Sequence, residues 1–205
     1  MQHFKIFLGA IFCLFFSMYA EAQFPDFCAT ESKVQEALIK YPAKKLDFQK
    51  NWEQNIQRDA IQSGNGYLAE KSHSPNYIIP VVVHIIHENG TENISDAQVL
   101  DGIRFLNADF AKRNSDTLSI VPAFQAIAAD CQIEFRLAQF DPNGNCTNGI
   151  DRIYSSQTNI GDDGSKLNPL PYENYYNIWV VKNISPGGIA GYAYYPGTAP
   201  PGAEG

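Results

Sequence analysis

Apolar positions along this chain follow two rhythms, and the change comes at Tyr77. Between residues 31 and 61, Val34, Leu38, Leu46 and Trp52 recur at roughly helical spacing among Lys, Glu and Gln. Pro42 divides that run into two helical pieces. Residues 63–75 form a polar connector containing Ser, Gly and Pro. From Tyr77 to His87 almost every position is apolar or β-branched, the pattern of a strand buried on both faces. Pro80 inside it implies either a start at Val81 or one missing donor. Ser95-Asp-Ala-Gln98 reads as a capping box. It opens a helix whose Val99, Ile103, Leu106 and Phe110 share a face, ending near Arg113-Asn114.

A second strand is predicted over 132–140, alternating at Ile133, Phe135 and Leu137, with Asp141-Pro-Asn-Gly144 as its turn. Residues 155–171 are a polar loop, and 176–181 another buried strand. Residues 187–195 read as a Gly-rich strand suited to an edge that another chain approaches closely. Strand, helix and three strands make an α/β layer whose first crossover is expected to be parallel and right-handed. No internal repeat occurs. The last ten residues hold six Gly or Pro, and the domain is expected to continue past them.

The N-terminus alters the setting. Lys5, an apolar run over 6–19 and Ala20-Glu-Ala22 fit a signal peptide cleaved before Gln23. The run is shorter than the roughly 20 residues a membrane-spanning helix needs. A secreted or periplasmic protein with no stable membrane anchor is expected, divided as 1–22 signal peptide, 23–75 helical segment and linker, and 76–205 domain. The helical segment reads equally as a pro-segment or as a helical hairpin of the same domain. With 15 Lys+Arg against 22 Asp+Glu, the net charge of −7 argues against nucleic acid as a partner. In an oxidising compartment, Cys131 and Cys146 bracket one strand and its turn and are expected to pair. Cys28 is left over.

Candidate chemistry is sparse. His84 and His87 stand three apart in a strand, so they face opposite ways and cannot chelate one metal. Asp141, Asn143 and Asn145 begin like a calcium loop, but Cys146 and Arg152 replace the Gly and Glu it needs, so a turn is expected. Asp162-Asp163-Gly164 reads as a solvated acidic turn. No phosphate loop, nucleophile elbow or Cys-x-x-Cys pair occurs.

Taken in order, several segments resemble the pappalysin/cytophagalysin-type zinc metalloproteases of the metzincin clan. They are 79–87, Ile94 to Gln98 with Leu106 to Asn114, Ile133 to Ala138 with Asp141 to Asn145 and Thr147 to Ile150, Asn177 to Val180, and Gly188 to Gly197. The resemblance implies a metzincin-like N-terminal subdomain. Its fold would be a twisted, mostly parallel sheet with an antiparallel edge strand and a long backing helix, preceded by a helical pro-segment and incomplete at the C-terminus.

The same resemblance implies that Gly188, Ile189, Ala190, Gly191 and Tyr192 form the edge to which extended peptide substrate adds as a strand. It implies zinc as the cofactor of the parent protein. The motif His-Glu-x-x-His-x-x-Gly-x-x-His, which supplies the ligands and general base, does not occur in these 205 residues. No catalytic residue is therefore assigned, and the chain alone is expected to hold no zinc and cut no peptide. Cys28-Ala-Thr30 resembles a Cys-Gly-Thr near the start of related pro-segments, which makes Cys28 a candidate thiol switch on the zinc. An exported binding or adhesion module using Tyr192, Tyr194 and Tyr195 is the alternative.

Overall fold

The computed structural model describes residues 28–64 and 77–204. The signal peptide expected over 1–22, and the connector 65–76 with His73, lie outside the described residues. Helix α1 (Thr30–Lys40) and helix α2 (Pro42–Gly64) are separated by Tyr41. Pro42 is the first residue of α2, where the amide it lacks would have had no partner within the helix. The break in the helical pattern is thus a restart. Helix α1 buries Val34 and Ala37.

Strand β1 (Tyr77–His87) is the centre of the sheet. Its odd-numbered residues turn their main-chain groups to one edge. Tyr77 donates to Gln132 and Val81 accepts from Ala138, both at 2.8 Å, while Val83 donates to Gly149 at 2.9 Å. Along that edge β2 (Ile133–Leu137) and β3 (Ile150–Tyr154) follow one another, both parallel to β1. Strand β4 (Tyr176–Val180) pairs in parallel with the opposite edge from Val81 to Ile85. Pro80 is an even position just before β4 begins, so its missing donor faces an unpaired stretch. The strand keeps it.

Strand β3 escapes the sequence pattern because Asp151 and Arg152 interrupt its apolar positions. Gly149 introduces it at φ +72°, and a Cβ there would lie 2.8 Å from the amide nitrogen of Ala138. Helix α3 (Asp96–Phe110) begins with the expected capping box between Ser95 and Gln98. Val99, Ile103, Leu106 and Phe110 pack on Val81, Val83, Ile85 and Phe135. Fully burying one such side chain stabilises by about 1.5–3 kcal/mol. Asn107 donates to the Phe135 carbonyl at 2.8 Å and accepts its amide at 2.7 Å, which covers an edge of β2 that no strand among the described residues pairs. The other face of β1 is buried too, through Val82, His84 and Ile86.

Two expectations are corrected. Residues 187–195 form no antiparallel edge strand: every ladder among the described residues is parallel, and Gly191 makes a single parallel bridge, to Cys28. The helical segment occupies the edge at that point. Cys131 and Cys146 form no disulfide, and both thiols are exposed. Cys131 stands before β2, its amide on the carbonyl of Phe110 at 2.8 Å, whereas Cys146 pairs with Phe140 beyond the strand's other end. Five strand residues span about 16 Å, far more than the roughly 7 Å between Cα atoms that a disulfide allows. The return after the turn is too short to bring the thiols together, because the chain leaves to form β3.

Candidate functional site

Segment 188–194 forms a rim, and its residues 190–194 line one cavity together with β4. Gly187 and Gly188 have φ of +107° and +75°, a conformation that glycine adopts without strain, and they turn the chain into it. Gly188 therefore serves the turn rather than close approach of a peptide. Ile189 is half-buried and Ala190 exposed. A side chain at Gly191 would meet nothing within 4 Å.

The start of the helical segment lies against this rim. The amide of Ala29 donates to the carbonyl of Gly191 at 3.1 Å. The amide of Ala193 donates to the hydroxyl of Thr30 at 3.0 Å, and the Cys28 thiol donates to the same hydroxyl at 3.3 Å. Residues two apart in an extended chain turn their main-chain groups to the same edge. Gly191 and Ala193 thus present an acceptor and a donor side by side. Farther along, Lys33 sits 5.6 Å from the ring centre of Tyr192, Phe48 stacks on Tyr195 at 6.1 Å, and Lys44 pairs with Glu204 at 3.9 Å.

Behind the rim is a polar knot that the sequence pattern did not mark. The two carboxylate oxygens of Asp163 accept the hydroxyls of Tyr192 (3.0 Å) and Tyr194 (2.7 Å). Lys166 lies 3.3 Å from Asp163 and donates to the carbonyl of Ala203 at 2.8 Å. Its ammonium stands 4.8–5.6 Å from the ring centres of Tyr194, Tyr192 and Trp179. Burial pushes the Lys166 ammonium down, with Asp163 opposing the shift. Burial first, and Asp163 next, pushes both tyrosine hydroxyls well up, so they remain donors. The expected acidic turn is therefore half right: Asp162 caps the amide of Gly164 at 2.9 Å, but Asp163 is spent on the knot. The signal was the pair Tyr192-x-Tyr194, which puts two hydroxyls on one face.

Trp179 joins the knot to the sheet. It donates to the carbonyl of Leu167 at 2.9 Å and stacks on His84 at 5.2 Å. His84 is 1% exposed, with Nδ1 at 3.2 Å from Asp151 and Nε2 at 2.9 Å from Asn177. His87 accepts the amide of Asn89 at 3.2 Å on the opposite face. Both histidines are satisfied by hydrogen bonds. Asp141 accepts the amides of Asn143 and Asn145, each at 2.8 Å, and acts as the expected turn. Its carboxyl is held below the usual range, chiefly by the side chain of Asn145. Among the described residues no group of three His, Cys, Asp or Glu could hold a metal ion.

No protein-family model and no curated protein matches the chain. Solved structures do. A variant of Tannerella forsythia promirolysin is 32% identical over 87% of this chain and 57% of its own, with a TM-score of 0.67. Mature mirolysin of Tannerella forsythia in complex with a cleaved peptide is 33% identical over 59% of this chain and 53% of its own, with a TM-score of 0.50. Mirolysin in complex with compound 9 is 41% identical over 52% of this chain and 42% of its own, with a TM-score of 0.49. The likeness to promirolysin shows that the chain shares its fold, and the chain spans about half the length of these proteins.

Proposed function

We propose that this chain comprises the pro-segment and N-terminal catalytic subdomain of a secreted zinc endopeptidase of the pappalysin/cytophagalysin type. The observation that carries the reading is the pair of main-chain groups at Gly191 and Ala193, met by Ala29 and Thr30 of the same chain. An acceptor and a donor two residues apart are what an added strand needs. Likeness to a pro-form, and to a mature form bound to a cleaved peptide, supports the same reading.

The helical segment uses this edge without behaving as substrate. Among the described residues it gives the rim one main-chain bond, from Ala29 to Gly191, and the next rim amide, that of Ala193, is taken by the Thr30 hydroxyl. Helix α1 begins at Thr30, so the chain coils away from the rim. A coiled segment cannot offer a run of extended peptide, and while it stays no other strand can use Gly191. Latency follows from occupancy.

Zinc enters through the family resemblance, and the described residues contribute peptide placement rather than metal binding. Secretion rests on residues 1–22, and no helix among the described residues is long and apolar enough to cross a membrane. The adhesion alternative loses ground because the Tyr192 and Tyr194 hydroxyls are already bonded to Asp163 and Tyr195 stacks on Phe48. The test is peptide hydrolysis by the full-length protein after removal of the pro-segment. Hydrolysis abolished by a chelator and restored by zinc supports the proposal. Hydrolysis indifferent to chelation, or none at all, overturns it.

A further inference from the structure

We infer that Asp163 and Lys166 are positioning residues that hold the rim in register to receive a peptide strand, an inference that rests on the protease reading above. The rim lacks the support that fixes the other strands. β2, β3 and β4 each share a five-residue ladder with β1, whereas among the described residues segment 188–194 has only the bridge at Gly191, and that is made to the pro-segment. Once the pro-segment leaves, no main-chain pairing among the described residues remains to hold it.

The side chains supply what the ladder does not. Alternation sends Tyr192 and Tyr194 to one side of the rim, where their hydroxyls bind the two oxygens of a single carboxylate at 3.0 and 2.7 Å. Two anchors two residues apart fix both the position and the rotation of an extended segment. Bonds to an ionised acceptor are roughly twice as strong as neutral ones, and Lys166 at 3.3 Å keeps the charge on Asp163 compensated. Lys166 also ties down Ala203 and lies against Trp179, whose indole stacks on His84 in the central strand. The rim is thereby referenced to β1 through side chains. In the pro-form, Lys33 lies against the same Tyr192 ring, so the clamp is engaged before activation.

A clamp of this kind acts on strand addition, not on the bond that breaks. In the full-length mature protein, Asp163→Asn and Lys166→Met should raise KM for a quenched peptide about tenfold, with kcat within about twofold of wild type. Lys166→Arg, which keeps the cation and can still reach the rings and Asp163, should restore KM. In the 205-residue chain, hydrogen exchange at the Ala193 amide should quicken about tenfold in Asp163→Asn while the amides of β1 keep their wild-type rates. A double variant, Tyr192→Phe with Tyr194→Phe, removes only the two hydroxyls. It provides the same reading should Asp163→Asn fail to fold, and adding Asp163→Asn to it should change little further. Unchanged exchange at Ala193, or a fall in kcat with KM unmoved, overturns the inference. Because exchange is read without turnover, a full-length protein that hydrolyses nothing defeats the protease reading alone, and the Ala193 measurement still decides the clamp.

Discussion

Ala29 donates its amide to the carbonyl of Gly191 across 3.1 Å, and that bond brings together residues from the two ends of the described chain. It places Cys28 at the rim, paired in parallel with Gly191. The family resemblance proposes a latency role for Cys28. In the full-length pro-form, Cys28→Ala should therefore cleave a quenched peptide before the pro-segment is cut, or mature with a shorter lag. Mercurial reagents should awaken the wild type in the same way. Equal lags for variant and wild type would leave occupancy by Ala29 and Thr30 as the whole of the latency.

The 205-residue chain is expected to bind no stoichiometric zinc. Both ring nitrogens of His84 already have partners, and His87 faces the other side of the strand. Metal analysis after dialysis against zinc-free buffer checks this, and one tightly held zinc per chain would contradict it.

Asn177 is 3% exposed and supports three groups at once. It accepts from Leu170 and contacts His84 Nε2, both at 2.9 Å, and donates to the Leu170 carbonyl at 2.9 Å. Asn177→Ala leaves those partners buried without replacements and should cost about 2–4 kcal/mol of stability. Urea unfolding measures it, and a loss below about 0.5 kcal/mol would mean that the site relaxes freely.

Glu92 accepts the amides of Glu88 (2.8 Å) and Gly90 (3.0 Å). Those bonds, with Glu88 the first, hold its carboxyl below the ordinary glutamate value of 4.5. A depressed carboxylate contributes stability that is fully present above the unfolded value and lost as pH falls through the folded one. The difference in urea midpoint between wild type and Glu92→Gln should thus be larger at neutral pH than at a pH well below 4.5. A constant difference across that range would assign the loop's stability to the turn itself.

Cys131 and Cys146 should both react with an alkylating reagent in the native, unreduced protein, because both thiols are exposed and lie beyond opposite ends of β2. Mass spectrometry of the digest decides, and a peptide linking the two residues would require β2 to be rebuilt.

The local code of the chain was legible wherever one short stretch decided the outcome. The all-apolar run at Tyr77–His87, the Ser95–Gln98 box, the Val99–Phe110 face and the restart at Pro42 need only neighbours in sequence. The opposed faces of His84 and His87 follow in the same way from strand geometry. What the tertiary structure alone decided depends on who stands beside whom. β3 is a strand because β1 continues past β2 and offers Ile150–Tyr154 an unpaired edge, not because its own residues alternate. The predicted disulfide failed for the same reason, since the chain spends those residues on a new parallel neighbour instead of a long hairpin return. Asp163 looked like a solvated acid until Tyr192 and Tyr194, about 30 residues later, arrived with two hydroxyls and Lys166 supplied the counter-charge. Spacing reports which side a residue takes, whereas partners distant in sequence meet only when the sheet has set its order.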